Sequence, residues 1–215
     1  MITCLCYGDS NTWGAIPGPV NSTTGFPKRH PKEERWTGIL QKLLGFDYEV
    51  IEEGLNSRTT NLDDLSSNKP HINGLSYLPF CLEVHYPIDC IVFMLGLNDT
   101  KSKFHRSAVE IANGMRELIS VAKRLLGKNT YVVLVAPPPL SKTSELFPQF
   151  DQKSIETSKL IAKEYKKLAE EEDVVFLNAA DTISTSAIDG LHFDSNQCAL
   201  LGQQIAKKIQ EKFKK

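Results

Sequence analysis

Short apolar runs alternate with longer amphipathic ones along this chain. Ile2 to Tyr7 reads as a strand, turned at once by Gly8-Asp9-Ser10. Arg35 to Leu44 has helical spacing, with Trp36, Ile39, Leu40 and Leu43 on one side. Tyr48 to Ile51 is a second strand. Cys90 to Leu95 is a third, apolar on both faces, as a strand in the middle of a parallel sheet should be. Ala108 to Leu126 puts Ile111, Met115, Leu118, Ala122 and Leu125 in helical register. Tyr131 to Ala136 is a fourth strand, stopped by Pro137-Pro138-Pro139. Ser154 to Glu171 is a helix with a charged outer face, and Val174 to Leu177 is a short fifth strand. Ser195 to Phe213 closes the pattern as a helix with Cys198, Leu201, Ile205 and Ile209 inward.

This alternation implies βαβ units with right-handed crossovers. The expected fold is a three-layer α/β/α sandwich around about five parallel strands, flavodoxin-like in outline. Sites in such sheets lie beyond the carboxyl ends of the strands. Two stretches resist the pattern: Gly14 to Pro31, and Asn56 to Pro87. Both are expected to be long loops, and loops of that length tend to carry function.

Composition narrows the classes. A chain of 215 residues with 41 % hydrophobic and 24 % charged side chains suits one globular domain over 1–215. The net charge of -1, with no basic face interleaved with aromatics, argues against a nucleic-acid partner. The basic stretch Lys207 to Lys215 is interrupted by Glu211 and reads as the solvated face of a helix. No apolar run reaches membrane-span length, and no secretion signal opens the sequence, so a cytoplasmic location without a membrane partner is expected. The five cysteines, Cys4, Cys6, Cys81, Cys90 and Cys198, are odd in number and lack metal-type spacing. They read as free buried thiols.

The candidate chemistry sits at three strand ends. Ser10 follows the first strand, where a turn into a helix can lift a hydroxyl above the sheet beside backbone N–H groups. Asn98, in Gly96-Leu97-Asn98-Asp99, follows the buried third strand and offers a side-chain donor to a developing oxyanion. An Asx turn would account for it equally. Asp189-Gly190-Leu191-His192 follows the fifth strand, and a carboxylate three residues before an imidazole can fix its tautomer. Trp13, three residues past Ser10, is a candidate wall of the substrate pocket. Asp9 and Asp99 read as loop-holding residues. His71, His85 and His105 lack metal-ligand spacing, and no metal site is expected.

Gly8-Asp9-Ser10, Gly96-x-Asn98-Asp99 and Asp189-x-x-His192 resemble, in order, three blocks of the SGNH (GDSL-type) hydrolases. Arg35-Trp36-Thr37-Gly38, Glu52-Glu53-Gly54-Leu55, Arg58-Thr59-Thr60 and Tyr77-Leu78-Pro79 are similar to the bacterial arylesterase/acyltransferase branch. The resemblance implies a Ser10-His192-Asp189 triad and a carboxylic ester hydrolase acting on short acyl or aryl esters, with acyl transfer to small nucleophiles. It implies three oxyanion donors: the Ser10 N–H, a backbone N–H at Ser57, and the Asn98 amide. A glycine is usual where Ser57 stands, with Gly54 three residues earlier as the other choice. Ser57 is expected to serve if its backbone conformation is ordinary. The implied mechanism requires no metal or cofactor, and the implied partner is a small ester, with self-association left open by the long loops. Two alternatives remain: a carbohydrate-ester deacetylase on the same fold, and a flavodoxin-like phosphate- or flavin-binding module.

Overall fold

The computed structural model describes residues 1–65 and 70–213. Five parallel strands, β1 (Ile2–Gly8), β2 (Tyr48–Gly54), β3 (Cys90–Met94), β4 (Tyr131–Ala136) and β5 (Val175–Asn178), lie in the order β2-β1-β3-β4-β5. The direction of winding reverses between β1 and β3. That opens a crevice at their carboxyl ends, where such sheets hold their sites.

Alternation along the strands sorts their side chains onto two apolar layers. Leu5, Tyr7, Ile91, Phe93, Val132 and Leu134 face one core. It is covered by α3 (Gly74–Val84), α4 (Ala108–Leu126) and α5 (Gln152–Glu171). Cys4, Cys6, Val92, Met94, Val133 and Val135 face the other, under α2 (Trp36–Leu44) and α6 (Ser195–Phe213). Trp36, wholly buried, anchors α2 there. All five cysteines are buried and unpaired. Among the described residues no helix is long and apolar enough to cross a membrane.

Two helices start with reciprocal caps, and the second also fixes a nearby loop. Ser107 and Glu110 cap α4. Asp151 accepts from the Ser154 N–H at the start of α5, while the Ser154 hydroxyl donates to the Thr100 carbonyl 2.6 Å away. That bond ties α5 to the loop after β3.

The two stretches expected to be loops fare differently. Gly14 to Pro31 is irregular and folds back on itself through one bridge, Ala15 to Arg29. Asn56 to Pro87 is not a loop throughout: it contains α3, whose Asn73 cap accepts from the N–H groups of Leu75 and Ser76. Residues 66–69 of that stretch lie outside the described residues. Lys207 and Lys212 of the basic stretch are exposed on α6, while Lys214 and Lys215 lie outside the described residues.

Candidate active site

β1 ends at Gly8, and the chain turns directly into the single-turn helix α1 (Ser10–Trp13). Asp9 caps that turn by accepting the Asn11 N–H at 2.9 Å. The turn is pressed so close to the sheet that a Cβ on Gly8 would stand 2.1 Å from the Thr12 hydroxyl oxygen. One on Gly54, paired with Gly8 across the sheet, would stand 2.1 Å from the Trp13 backbone nitrogen. Two glycines therefore set the height of Ser10 above the strands.

The chain returns to Ser10 from the far end of the sequence. His192 Nε2 lies 3.0 Å from Ser10 Oγ, and its Nδ1 lies 2.8 Å from Asp189 Oδ2. The Asp189 carboxylate is held by four groups. Oδ1 accepts the backbone N–H groups of Leu191 and His192, both at 3.0 Å. Oδ2 accepts the Gly18 N–H at 3.0 Å besides facing the imidazole. Burial works to raise this carboxyl, but the bonds from His192 and the backbone outweigh it and lower it to about 2. It is ionised at any pH where the imidazole could serve as a base. The ring of Phe147 stands edge-on to His192, with centroids 5.3 Å apart.

Asn98 begins a short 3₁₀ turn after β3, and its Nδ2 reaches Asp9 Oδ2 at 3.4 Å. The next residue, Asp99, is wholly buried and accepts the Thr60 N–H at 3.0 Å. It thereby joins the loop after β3 to the loop after β2. Burial raises both Asp9 and Asp99 to about 6. Neither touches the pocket, and both act as loop-holding acceptors.

Ser10, Ser57, Asn98 and His192 line one pocket of about 60 Å³. Among the described residues, neither the Ser10 nor the Ser57 backbone N–H has an acceptor. The condition set for Ser57 is not met, since its φ is +72°, in the left-handed region that favours glycine; the residue holds that conformation without being glycine and still lines the pocket. Gly54 lies elsewhere, under the Trp13 backbone. Trp13 is not among the pocket-lining residues either. Its ring stacks on Phe26 at 6.4 Å and lies under the Arg29 guanidinium at 4.5 Å. Instead Val20, Gly25 and Pro27 of the Gly14-to-Pro31 loop, with Asn56 and Leu191, form part of the wall, and the rest is Phe147, Gln149 and Phe150, from the segment after β4. Sequence reading missed these last three. The only signal was their place beyond a strand end, in a segment opened by three prolines.

Arg29 and Arg35 converge on Glu52, and Thr37 donates to the same carboxylate. This cluster holds the Gly14-to-Pro31 loop, and with it Gly18, against β2. Among the described residues, one set of mixed ligand-type atoms gathers within 4.8 Å, on Glu53, Cys81 and His85. His85 Nε2 bonds the Glu53 carboxylate at 2.8 Å, and burial pushes the Cys81 thiol up to about 12. A hydrogen-bonded pair beside a protonated thiol accounts for the group.

A five-stranded parallel sheet with a serine, an imidazole and a carboxylate in line at its carboxyl edge defines the class: an α/β ester hydrolase. The GDSL-like lipase/acylhydrolase family model matches residues 6–196, and the chain belongs to that family. An aryl esterase of M. smegmatis is 37 % identical, with a TM-score of 0.90, 98 % of this chain covered and 99 % of the other. Est24, a carbohydrate acetylesterase from Sinorhizobium meliloti, is 42 % identical, with a TM-score of 0.89, 99 % of this chain covered and 100 % of the other. No curated protein matches the chain. Family and neighbours make this protein a carboxylic ester hydrolase.

Proposed function

We propose that the protein cleaves short-chain acyl esters through a Ser10-His192-Asp189 triad and an acyl-enzyme. The observation that carries this is the unbroken line from Ser10 Oγ to His192 Nε2, 3.0 Å, and from His192 Nδ1 to Asp189, 2.8 Å. His192 takes the Ser10 proton as Oγ attacks the ester carbonyl, and Asp189 stabilises the imidazolium that forms. The carbonyl oxygen, now negative, is met by the Ser10 and Ser57 backbone N–H groups and the Asn98 amide. His192 then passes its proton to the departing alcohol. Water, or a second alcohol, attacks the acyl-enzyme by the same route and releases acid or a new ester.

The narrow pocket supports a short acyl group. The two named relatives, an aryl esterase and a carbohydrate acetylesterase, leave both aromatic and sugar alcohols within reach of this site. A serine-reactive phosphonate should label Ser10 stoichiometrically, and Ser10→Ala should lose turnover of p-nitrophenyl acetate. In the wild type, rates should fall from acetyl and butyryl to decanoyl esters. Labelling at another residue, with turnover surviving in Ser10→Ala, would refute the triad.

A further inference from the structure

Arg58 is 2 % exposed, and a guanidinium seldom sits so deep in a protein without a carboxylate beside it. Among the described residues its side-chain hydrogen bonds go to main-chain carbonyls alone. Nη1 donates to the Gly8 carbonyl at 2.9 Å and to the Glu53 carbonyl. Nε is buried without an acceptor among the described residues. The guanidinium carbon lies 4.1 Å from the centroid of the Tyr7 ring and 5.3 Å from that of Tyr77. Taking a cation out of water for such partners is costly, so the arrangement calls for an explanation.

Its place in the fold supplies one. Leu55 to Arg58 form a turn, closed by the Arg58 N–H on the Leu55 carbonyl at 3.0 Å, with Ser57 at the third position. The Leu55 N–H donates to the Gly8 carbonyl at 3.1 Å, and the Arg58 side chain donates to that same carbonyl. Both ends of the turn are thus fastened to one peptide group, just ahead of Ser10. We infer that Arg58 is a positioning residue for ester cleavage: its guanidinium clamps this turn to the end of β1 and sets the gap between the backbone N–H groups of Ser57 and Ser10. The inference rests on the proposed Ser10 esterase reading, in which those two groups meet the oxyanion. A planar guanidinium can lie over the Tyr7 ring while reaching two carbonyls; a lysine ammonium can reach a carbonyl but cannot stack.

The test is kinetic. Arg58→Met keeps an unbranched stem and removes the donors. With phenyl acetate its kcat should fall about 10- to 100-fold, as a displaced oxyanion donor requires, while KM stays within about threefold of the wild type. Phenyl trifluoromethyl ketone forms a serine adduct that carries the same negative oxygen. Its inhibition constant should rise by the factor that kcat/KM loses. Arg58→Lys should recover part of both. An arginine that only supports the fold would move the urea midpoint and neither of these. If Arg58→Met does not fold, Tyr77→Ala takes its place, since it strips one exposed ring from the guanidinium. A fall of roughly two- to fivefold in kcat, matched by the inhibition constant, is then expected. A wild-type kcat in the folded variant, a rise in KM at constant kcat, or an unchanged inhibition constant while kcat falls overturns the inference. Ser10→Ala separates it from the reading beneath it. If that variant is inactive and the folded Arg58 variant matches the wild type, only the positioning role falls. If Ser10→Ala turns over phenyl acetate at the wild-type rate, both fall.

Discussion

Ser57 shows how far one side chain's identity can mislead about its backbone. Nothing in a serine announces a φ of +72°, so its left-handed conformation was not legible from sequence. A β-carbon in that region costs about 1–2 kcal/mol relative to a relaxed backbone. Part of the cost returns as chain entropy if the residue becomes glycine. Ser57→Gly should therefore raise the unfolding free energy by about 0.5–1 kcal/mol in a urea titration. It should also keep its esterase kcat, since the donor proposed at this position is a backbone N–H. A loss of stability would mean that the Ser57 hydroxyl makes a contact worth more than the strain. Phe147, Gln149 and Phe150 escaped for a different reason. Their segment has no periodicity, and a pocket wall made from such a loop leaves no pattern. Ser10, Asn98, Asp189 and His192, which the structure brings to one end of the sheet, stood out as candidates because strand ends are easy to find and their residue types carry recognisable chemistry.

At the scale of elements, the sheet and its covering helices follow from the apolar pattern, and α3 does not. Leu78, Cys81 and Leu82 of that helix are buried, while Tyr77, Phe80 and Val84 are exposed apolar residues. A helix apolar on both faces has no stripe to read. Pro79 inside it further disguises it as a turn. Asn73, which caps its first turn, was the available start signal. The packing of α1 onto the sheet yields a sharper test. Gly54→Ala puts a methyl group 2.1 Å from the Trp13 nitrogen, so α1 and Ser10 must lift. The expected cost is about 1–3 kcal/mol of stability from overpacking. A displacement of about 1 Å at Ser10, the proposed nucleophile, should lower kcat up to 10²-fold. Stability falling while kcat holds would show that Ser10 is positioned independently of β2.

For the whole molecule, the buried acids shape stability against pH. Asp9 and Asp99 rise from an ordinary 3.8 to about 6 because burial penalises their charge. Between about pH 4 and 6 the folded protein holds protons that the unfolded chain has released, so these two groups make stability fall as pH rises. Asp189, lowered to about 2, acts in the opposite sense between about pH 2 and 4, adding stability as pH rises. Asp9→Asn removes one of the raised groups. Its unfolding free energy should gain on the wild type between pH 4 and 7, whatever constant offset its altered hydrogen bonds add. A difference that stays flat across that range would show that Lys101 and Arg58 keep Asp9 ionised throughout. Ser10 and His192 are 182 positions apart. During synthesis Ser10, the proposed nucleophile, is made first and His192, its proposed base, only after all five strands. A growing chain can build most of its sheet with a serine that has no imidazole to deprotonate it. With the proposed triad, ester cleavage begins with a late folding event, the docking of the segment after β5 beside α1, and its onset would clock the completion of the fold.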